Sequence, residues 1–409
     1  MHERRELPEN WASDFDLFDP AYVEDPYSDW VQMRAQCPVA RSERYGGAVL
    51  PVRHEDIAQI AHDPATFSSR VLEATGPVPS PGRELKMPPI TSDPPDHDEQ
   101  RRLLLPLFTK PRIRALEGIA RRRAAELIDA FGDRTVVDAA DEFARHIPVT
   151  VIARMLGVPV QDEATFDRWV VMMLKEGPKE QAVRREAIRA ITAYFSQLIA
   201  VQRESGQEDG GIVQALLTKR DTGPTLTDDD IVGMCLLVLV AGIDTTWSAI
   251  GSCLWHLATH PVDRRRLVDD PALLDTAIEE LLRAYAPITI GRTATCPTSV
   301  GGVQMAAGDR VLLPFAAANR DPNAFDRADE VLIDREENRH LTFGLGIHRC
   351  IGSNLARMEL KVALTEWLRR VPEFELAGER DVTWTGANVR GPEVLHLRFA
   401  AAALDGGDR

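Results

Sequence analysis

The sequence has few cysteines, and their arrangement does not suit a disulfide framework or a structural zinc site. The five cysteines are odd in number, lie far apart and include no Cys-x-x-Cys pair. Secreted disulfide domains and zinc modules use even numbers of cysteines or closely paired ones. We therefore expect a protein of the reducing cytoplasm. The five residues are Cys37, Cys235, Cys253, Cys296 and Cys350.

The sequence also lacks an apolar N-terminal segment, a Ser/Gly linker, a low-complexity run and an internal repeat. These absences predict no signal peptide or membrane anchor and favour one domain over residues 1–409. With 44% hydrophobic and 27% charged residues, the chain can bury a sizeable core. A net charge of −15 argues against nonspecific nucleic-acid binding. We expect small molecules and proteins as partners, with no nucleic acid and no membrane.

What the sequence does contain is a glycine-rich loop around one cysteine. Gly344, Gly346 and Gly352 surround Cys350, so the backbone can turn tightly and point N–H groups toward the sulfur. Apolar residues at helical spacing over 351–368 then predict a helix that begins at the cysteine. Unpaired N–H groups and the helix dipole lower a thiol pKa there and favour the thiolate that ligates iron. Taken alone, the pattern also fits a buried structural cysteine after a turn.

The longest predicted helix begins after Thr227, a good N-cap with Asp230 three residues on, and runs to about His260. At ~1.5 Å per residue it would span roughly 50 Å, the width of a domain. Its apolar run over 231–243 has 13 residues, fewer than the ~20 that cross a bilayer. The sequence therefore predicts a buried core helix.

Inside that apolar helix lies the polar string Ala241-Gly242-Ile243-Asp244-Thr245-Thr246. Burying an unpaired carboxylate or hydroxyl costs on the order of a few kcal/mol. A threonine hydroxyl can also bond to the carbonyl four residues earlier and bend the helix. The string therefore predicts a bent, opened turn with room for dioxygen and water. The alternative is a kink that carries no chemistry.

Three further stretches carry candidate binding residues. His97 and Arg101 are four apart on one predicted helix face, which could hold an anion or could be a solvated first turn. Residues 101–123 carry eight basic residues against the single acid Glu117, a net charge of +7. This basic segment is either a solvated helix face or a docking surface for an acidic electron donor. Residues 76–95 carry seven prolines and predict an irregular binding loop, with Met87 and Ile90 pointing inward.

The order Phe-Gly-x-Gly-x-His-x-Cys-x-Gly over 343–352 resembles the haem-binding loop of the cytochromes P450. The resemblance extends from about residue 20 to 400, because His-x-x-x-Arg, Ala-Gly-x-Asp-Thr-Thr, Glu-x-x-Arg and the cysteine loop follow in the family's order. It implies a mainly α fold with small β-sheets, shaped as a triangular prism. Haem b would lie between the long central helix and the cysteine-ligand helix.

The resemblance also implies roles for individual residues. Cys350 would ligate the iron, Thr245 would hydrogen-bond the iron-bound peroxo group, and Asp244 would relay protons. Phe343 and Gly352 would contact the cofactor from the cysteine loop. The haem propionates would be bound by His97, Arg101, Arg292 and His348.

Outside the haem contacts, Glu280 and Arg283 match the family's structural ion pair. Arg335 is the expected third member, although Leu332 and Ile333 stand where the family often has Asp-Pro. His340 we expect to be structural. The residues expected to contact substrate are apolar, namely Met87, Ile90, Ala241, Ile288, Ile290 and Val389.

The function implied is a monooxygenase that inserts one oxygen atom from O2 into a small-to-medium hydrophobic molecule, by hydroxylation, O-dealkylation or epoxidation. A peroxide-driven peroxygenase would carry Arg-Pro in place of Asp244-Thr245, and a gas-binding protein would not need the basic segment. Because the haem domain consumes all 409 residues, we expect separate donors, namely a ferredoxin and an NAD(P)H-dependent ferredoxin reductase. Aromatic, terpenoid, fatty-acid and macrolide substrates remain open.

Overall fold

The computed structural model describes residues 11–70, 86–205, 211–220, 226–378, 382–386 and 388–400. Within these ranges the chain is mainly helical, as predicted. Its α-helices are α1 (Trp11–Asp14), α2 (Pro20–Glu24), α3 (Pro26–Gln36), α4 (His54–His62), α5 (Asp96–Leu104), α6 (Lys110–Asp129), α7 (His146–Leu156), α8 (Glu163–Val171), α9 (Gln181–Ser205), α10 (Gly211–Arg220), α11 (Asp228–Thr259), α12 (Pro261–Asp269), α13 (Leu274–Ala284), α14 (Phe315–Ala318) and α15 (Ser353–Arg370).

The predicted central helix is α11, and both of its ends agree with the sequence analysis. Thr227 caps it by accepting the N–H of Asp230, whose carboxylate accepts the N–H of Thr227 in return. It is the one helix among the described residues that is long and apolar enough to cross a membrane, but 67% of its most apolar stretch is buried inside the protein. Packing against α7, α9 and α15 explains the apolar surface without a bilayer.

Eleven short strands form among the described residues. They are β1 (Val39–Ser42), β2 (Ala48–Pro51), β3 (Phe67–Ser68), β4 (Val136–Asp138), β5 (Thr289–Ala294), β6 (Thr298–Val300), β7 (Val303–Met305), β8 (Arg310–Pro314), β9 (Phe374–Leu376), β10 (Val382–Trp384) and β11 (Pro392–Phe399). One sheet has the order β1-β2-β8-β5-β3, with β2 and β8 parallel and its other pairs antiparallel. A second joins β10, β11 and β4, with β9 also on β11, and β6 and β7 form a hairpin.

Two hydrophobic clusters make up the core. The larger one surrounds α11 and includes the buried faces of α6, α7 and α15. The smaller one lies between the five-stranded sheet and the helices α1 to α4. The cavity described below is lined from both clusters, by Leu104 and Ile152 of the larger one and by Ala61 and Phe315 of the smaller one.

A buried ionic network connects α13 to the segment that leads into the cysteine loop. Glu280 accepts hydrogen bonds from Arg283 at 2.7 and 2.8 Å and from Arg335 at 2.9 Å. Leu332 contributes its backbone N–H to Glu280 at 2.8 Å. The departure from Asp-Pro at Leu332 and Ile333 therefore leaves this contact intact, because it requires no particular side chain. Removing one member would leave a buried charge without its partner, which would lower the stability of the fold by about 3–5 kcal/mol.

Candidate active site

The cysteine loop is a tight backbone structure that only glycine permits at two positions. Gly344 and Gly346 have φ values of 66° and 64°, in the left-handed region. A Cβ on Gly346 would also collide with the backbone carbonyl of Ala61 on α4. The loop closes where the N–H of Cys350 donates to the carbonyl oxygen of Phe343 at 2.7 Å. Gly352 is the N-cap of α15, so Cys350 lies just before the helix rather than inside it.

The electrostatic environment of Cys350 differs from the prediction. Burial raises the pKa of its thiol, while a hydrogen bond from the Gly352 backbone and the charges of Arg101, Arg349 and Arg357 lower it without offsetting the burial. Cys350 lies within the protein but is exposed to the open cavity that it lines. The expectation of a lowered thiol pKa was therefore wrong for the protein alone. A bound metal ion supplies the positive charge that makes a coordinating thiol lose its proton.

Four nitrogen-bearing side chains meet at one end of the cavity. The rings of His97 and His348 lie with centroids 4.5 Å apart, and Arg101 and Arg292 line the cavity with His348. The Nε2 atoms of both histidines are buried and have no hydrogen-bond partner among the described residues. Arg292 is 5% exposed and donates to the carbonyl of Gly291 at 2.8 Å. A buried unpaired donor is costly, so this cluster is suited to an anion.

The protonation of these groups supports the same conclusion. Burial, with the positive charges of Arg292, His97 and Arg101, lowers the pKa of His348 to about 3, so this ring is neutral. Burial lowers the pKa of Arg292 to about 10, which leaves the guanidinium charged at neutral pH. His97 Nδ1 lies 3.0 Å from the carboxylate of Asp98, so its Nε2 donates to an anion only when the ring carries both protons.

The opposite wall of the cavity is formed by α11. Ala241, Thr245 and Thr246 line it, and the Thr245 hydroxyl donates to the carbonyl of Ala241 at 2.8 Å, as expected. The opened turn predicted here was wrong, because α11 is continuous from Asp228 to Thr259. Asp244 is half-buried but lies outside the lining residues. Burial raises the pKa of its carboxyl to about 7.

The cavity contains about 1450 Å³ of empty space, including its opening to solvent. Ile90, Ile288 and Ile290 line it as predicted, together with Ala241. Cys350, Phe343 and Gly352 of the cysteine loop also line it.

Two of the expected substrate contacts lie outside the lining. Met87 packs against the larger hydrophobic cluster. Val389 forms a β-bridge with Ile288, which does line the cavity. Its carbonyl is held by the hydroxyl of Thr385 at 3.0 Å. Contact of these two residues with substrate stays a prediction, and in the structure each position is set by packing with a distant segment.

The sequence analysis also missed residues that line the cavity. Glu359 on α15 is fully buried beside it, and neither carboxyl oxygen has a hydrogen-bond partner among the described residues. Burial raises its pKa well above the ordinary value. The sequence did carry a signal for Glu359, because it is an acidic residue among the apolar residues of a buried helix face. Phe108, Ile152 and Phe315 also line the cavity, but they come from separate segments and carry no local signal.

Comparison with known proteins now assigns the family. The sequence matches the family described as Cytochrome P450 over residues 48–382. The chain belongs to the cytochrome P450 family. It is 33% identical to cytochrome P450 107B1 of Saccharopolyspora erythraea over 402 residues, which cover 94% of this chain and 97% of that protein.

Two further matches extend over most of this P450. It is 35% identical to the mycinamicin IV hydroxylase/epoxidase of Micromonospora griseorubida over 352 residues, which cover 84% of this chain and 88% of that protein. The solved structure of CYP109Q5 from Chondromyces apiculatus superposes with a TM-score of 0.86 at 31% identity. That superposition covers 95% of this chain and 98% of the other.

Family membership establishes the fold, the class of enzyme and the cofactor that were predicted. The fold is that of the cytochromes P450, the enzyme is a monooxygenase, and the cofactor of the family is haem b. The residues present fit that group. One cysteine faces the cavity, and the buried unpaired nitrogens of His97 and His348, with Arg101 and Arg292, suit the carboxylates that haem b carries.

Proposed function

We propose that Cys350 would ligate the iron of haem b, and that the enzyme inserts one oxygen atom from O2 into a small-to-medium hydrophobic molecule. The observation that carries the proposal is the cavity itself. It combines one inward-facing thiol, a cluster of buried nitrogen donors at one end and a wall of apolar side chains below α11. The whole chain would act as one haem-thiolate domain.

On the cysteine side, the protein would hold the cofactor at two places. Cys350 supplies the sulfur, and the N–H of Gly352 and the nearby guanidiniums stabilise its anion. His97, Arg101, Arg292 and His348 would bind the propionates, which satisfies the buried donors. Arg101 also donates to the carbonyl of Arg349 at 2.5 Å, which fixes the residue before the cysteine. When bound, haem supplies the iron at which dioxygen is activated.

On the α11 side, Asp244 and Thr245 would handle protons. A carboxyl with a pKa of about 7 exchanges protons readily at neutral pH. Asp244 lies outside the cavity lining and Thr245 lines it, so Thr245 would deliver to the cavity a proton that Asp244 exchanges. The Thr245 hydroxyl donates to the carbonyl of Ala241, and this bond fixes the orientation of the hydroxyl. The lone pairs of the Thr245 hydroxyl oxygen can then accept hydrogen bonds from other donors.

The substrate would be bound by apolar contact. Ile90, Ile288 and Ile290 present hydrocarbon surface to the cavity, and burying such surface favours a ligand without charge. The relative named a mycinamicin IV hydroxylase/epoxidase supports hydroxylation or epoxidation as the reaction type. O-dealkylation would follow from hydroxylation of a carbon beside an ether oxygen.

Electrons would come from a ferredoxin and its NAD(P)H-dependent reductase in the cytoplasm. The basic segment 101–123 covers the end of α5, the short turn that follows it and the first part of α6. Helix α6 packs along α15, the helix that follows Cys350, and Arg121 joins the two by an ion pair to Glu366 at 2.8 Å. The charged side chains of Arg112 and Arg114 are exposed on the same helix. This places positive charge beside the cysteine helix, which suits an acidic donor.

The test is isotopic labelling of the product. Compounds that displace water from the ferric haem in a spectral titration are first selected from a hydrophobic library. Each is then turned over under ¹⁸O2 with NAD(P)H, ferredoxin and reductase. One ¹⁸O atom in the product, dependent on NAD(P)H, is the expected result. Oxygenated product that forms with hydrogen peroxide alone and not with NAD(P)H and O2 would overturn the proposal in favour of a peroxygenase.

A further inference from the structure

Phe343 occupies a position that controls the cysteine loop. Its ring lines the cavity beside Cys350, and its carbonyl accepts the Cys350 N–H at 2.7 Å. A shift of Phe343 would therefore move the backbone that carries the sulfur. What holds Phe343 in place thus also holds Cys350.

Arg357 on α15 provides that hold. Its guanidinium carbon lies 4.3 Å from the centre of the Phe343 ring, a cation–π contact. The same guanidinium forms a two-point ion pair with Glu279 of α13, at 2.5 Å through Nε and 2.7 Å through Nη2. Both side chains are only about 30% exposed, at 29% and 30%. A bidentate pair of this kind fixes the plane of the guanidinium as well as its position.

His340 is the remaining member of the cluster around the Phe343 ring. The N–H of Thr342 donates to His340 Nδ1 at 3.3 Å, so the ring proton is on Nε2. That nitrogen lies 3.1 Å from Glu279 and donates to it. The His340 ring is 5.8 Å from the Phe343 ring. Glu279 thus receives hydrogen bonds from two side chains that both contact Phe343.

The charges in this cluster point to a role beyond packing. Burial raises the pKa of Glu279, but the hydrogen bonds from Arg357 and His340 and the charge of Arg357 outweigh it and bring the value to about 2, so the carboxylate stays ionised. Arg357 also brings its guanidinium to the Phe343 ring, which lines the cavity together with Cys350. Groups around a metal ligand tune its electron donation.

We infer that Arg357, held by Glu279 and His340, is a positioning residue that fixes Phe343 against Cys350 and sets the reduction potential of the bound haem. The inference rests on the proposed role of Cys350 as the haem ligand. Arg357 acts through Phe343 and through its field, because its guanidinium is occupied by Glu279 and the ring. Removing its charge would leave the sulfur anion less stabilised and more strongly electron-donating, which favours the ferric state.

The experiment is a spectroelectrochemical titration of the substrate-free holoenzyme. Arg357→Gln should shift the haem potential to more negative values and should move the absorption band of the reduced carbon monoxide complex. Arg357→Lys keeps the charge but loses the flat two-point contact, so its shift should have the same sign and be smaller. This second variant also decides the matter if Arg357→Gln does not incorporate haem.

Lys361→Gln is the matched control. Lys361 lies one turn further along α15 and pairs with Asp275 of α13 at 2.6 Å, with both side chains largely exposed. The Lys361→Gln substitution removes one positive charge from the same pair of helices, at a position where solvent screens that charge. If Arg357→Gln and Arg357→Lys both keep the potential and band of Lys361→Gln, the inference is overturned while the ligand assignment stands. A wild-type protein without the band of thiolate-bound haem would instead overturn the proposed function.

Discussion

The imidazole rings of His97 and His348 meet at 64° with their centroids 4.5 Å apart, although one lies on α5 and the other in the cysteine loop. Neither ring finds a partner among the described residues for its buried Nε2. The contact brings two histidines from distant parts of the sequence to a single anion-binding position. It supports the proposal that both bind the propionates of haem, and it makes Cys350, two residues after His348, the first point to test.

Replacement of Cys350 by His should abolish the red-shifted absorption band that marks thiolate-bound haem in the reduced carbon monoxide complex. The imidazole changes the axial ligand from sulfur to nitrogen, which donates less electron density. Cys296→Ala is the control, because Cys296 is an exposed cysteine and its loss should leave the band intact. An unchanged band in Cys350→His would mean that another residue ligates the iron.

Thr245→Ala should bind substrate and accept electrons, yet divert reducing equivalents into hydrogen peroxide. The loss of a positioned hydroxyl removes a contribution of about 10²-fold or more to proton transfer. The ratio of product formed to NAD(P)H consumed measures this loss. Thr259→Ala is the matched control, since Thr259 on the same helix also donates to the carbonyl four residues earlier, at 2.9 Å, but is far along α11. Equal coupling in both variants would remove Thr245 from the mechanism.

Asp244→Asn should slow turnover and enlarge the solvent isotope effect, because the amide cannot carry the relayed proton. The wild-type carboxyl has a pKa of about 7, so wild-type turnover should change across pH 6–8 and the variant should not show that step. The pKa of this carboxyl is higher in the folded than in the unfolded protein. The folded protein is therefore most stable at a pH below the unfolded-state pKa, and it loses that stability as pH rises toward 7. Tm measured from pH 4 to 8 should therefore fall less in Asp244→Asn than in wild type.

Glu359→Gln tests the second buried acid. Its folded pKa is raised by burial, so the protein is most stable while Glu359 is protonated and loses that stability as pH rises above the ordinary carboxyl range. The amide keeps the shape and cannot ionise. We expect Glu359→Gln to have a higher Tm than wild type at pH 8 and an equal one at pH 4. A lower Tm at pH 8 would show that the carboxylate has a favourable partner.

Charge reversal at Arg112 and Arg114 should slow reduction by ferredoxin roughly tenfold at low salt, within the range by which steering raises association rates. Haem content and substrate binding should not change. Stopped-flow reduction at several ionic strengths is the measurement, and the wild-type rate should itself fall with added salt. Arg185→Glu with Arg189→Glu on α9 makes the same charge change elsewhere and is the control. Arg101 must be kept, since it lies in the anion-binding cluster.

The sequence predicted best those features that are local. The capping box of Thr227 and Asp230 and the start and end of α11 follow from spacing within one segment, and the structure has them as predicted. The opened turn at Ala241 was wrong, because a threonine hydroxyl can bond to the preceding turn without breaking it. The same local reasoning placed the Cys350 helix but misjudged the thiol pKa, since burial comes from distant segments.

Features that depend on long-range packing were beyond such reasoning. Met87 and Val389 were expected to contact substrate; Met87 packs against the larger cluster and Val389 pairs with Ile288, which lines the cavity. Gly346 is required because α4 brings the carbonyl of Ala61 against it, a contact that no pattern near the loop reveals. Arg357 lies in the predicted helix, but its contact with Phe343 depends on how α13 packs against α15.

The cavity is lined from both hydrophobic clusters, with Leu104 and Ile152 on one side and Ala61 and Phe315 on the other. A group that fills it buries apolar surface against both clusters at once and joins them into one cooperative unit. Haem bound in this cavity would therefore stabilise both clusters together. The energy of binding it is shared between two cores, so a substitution deep in either core can weaken haem retention without touching the haem.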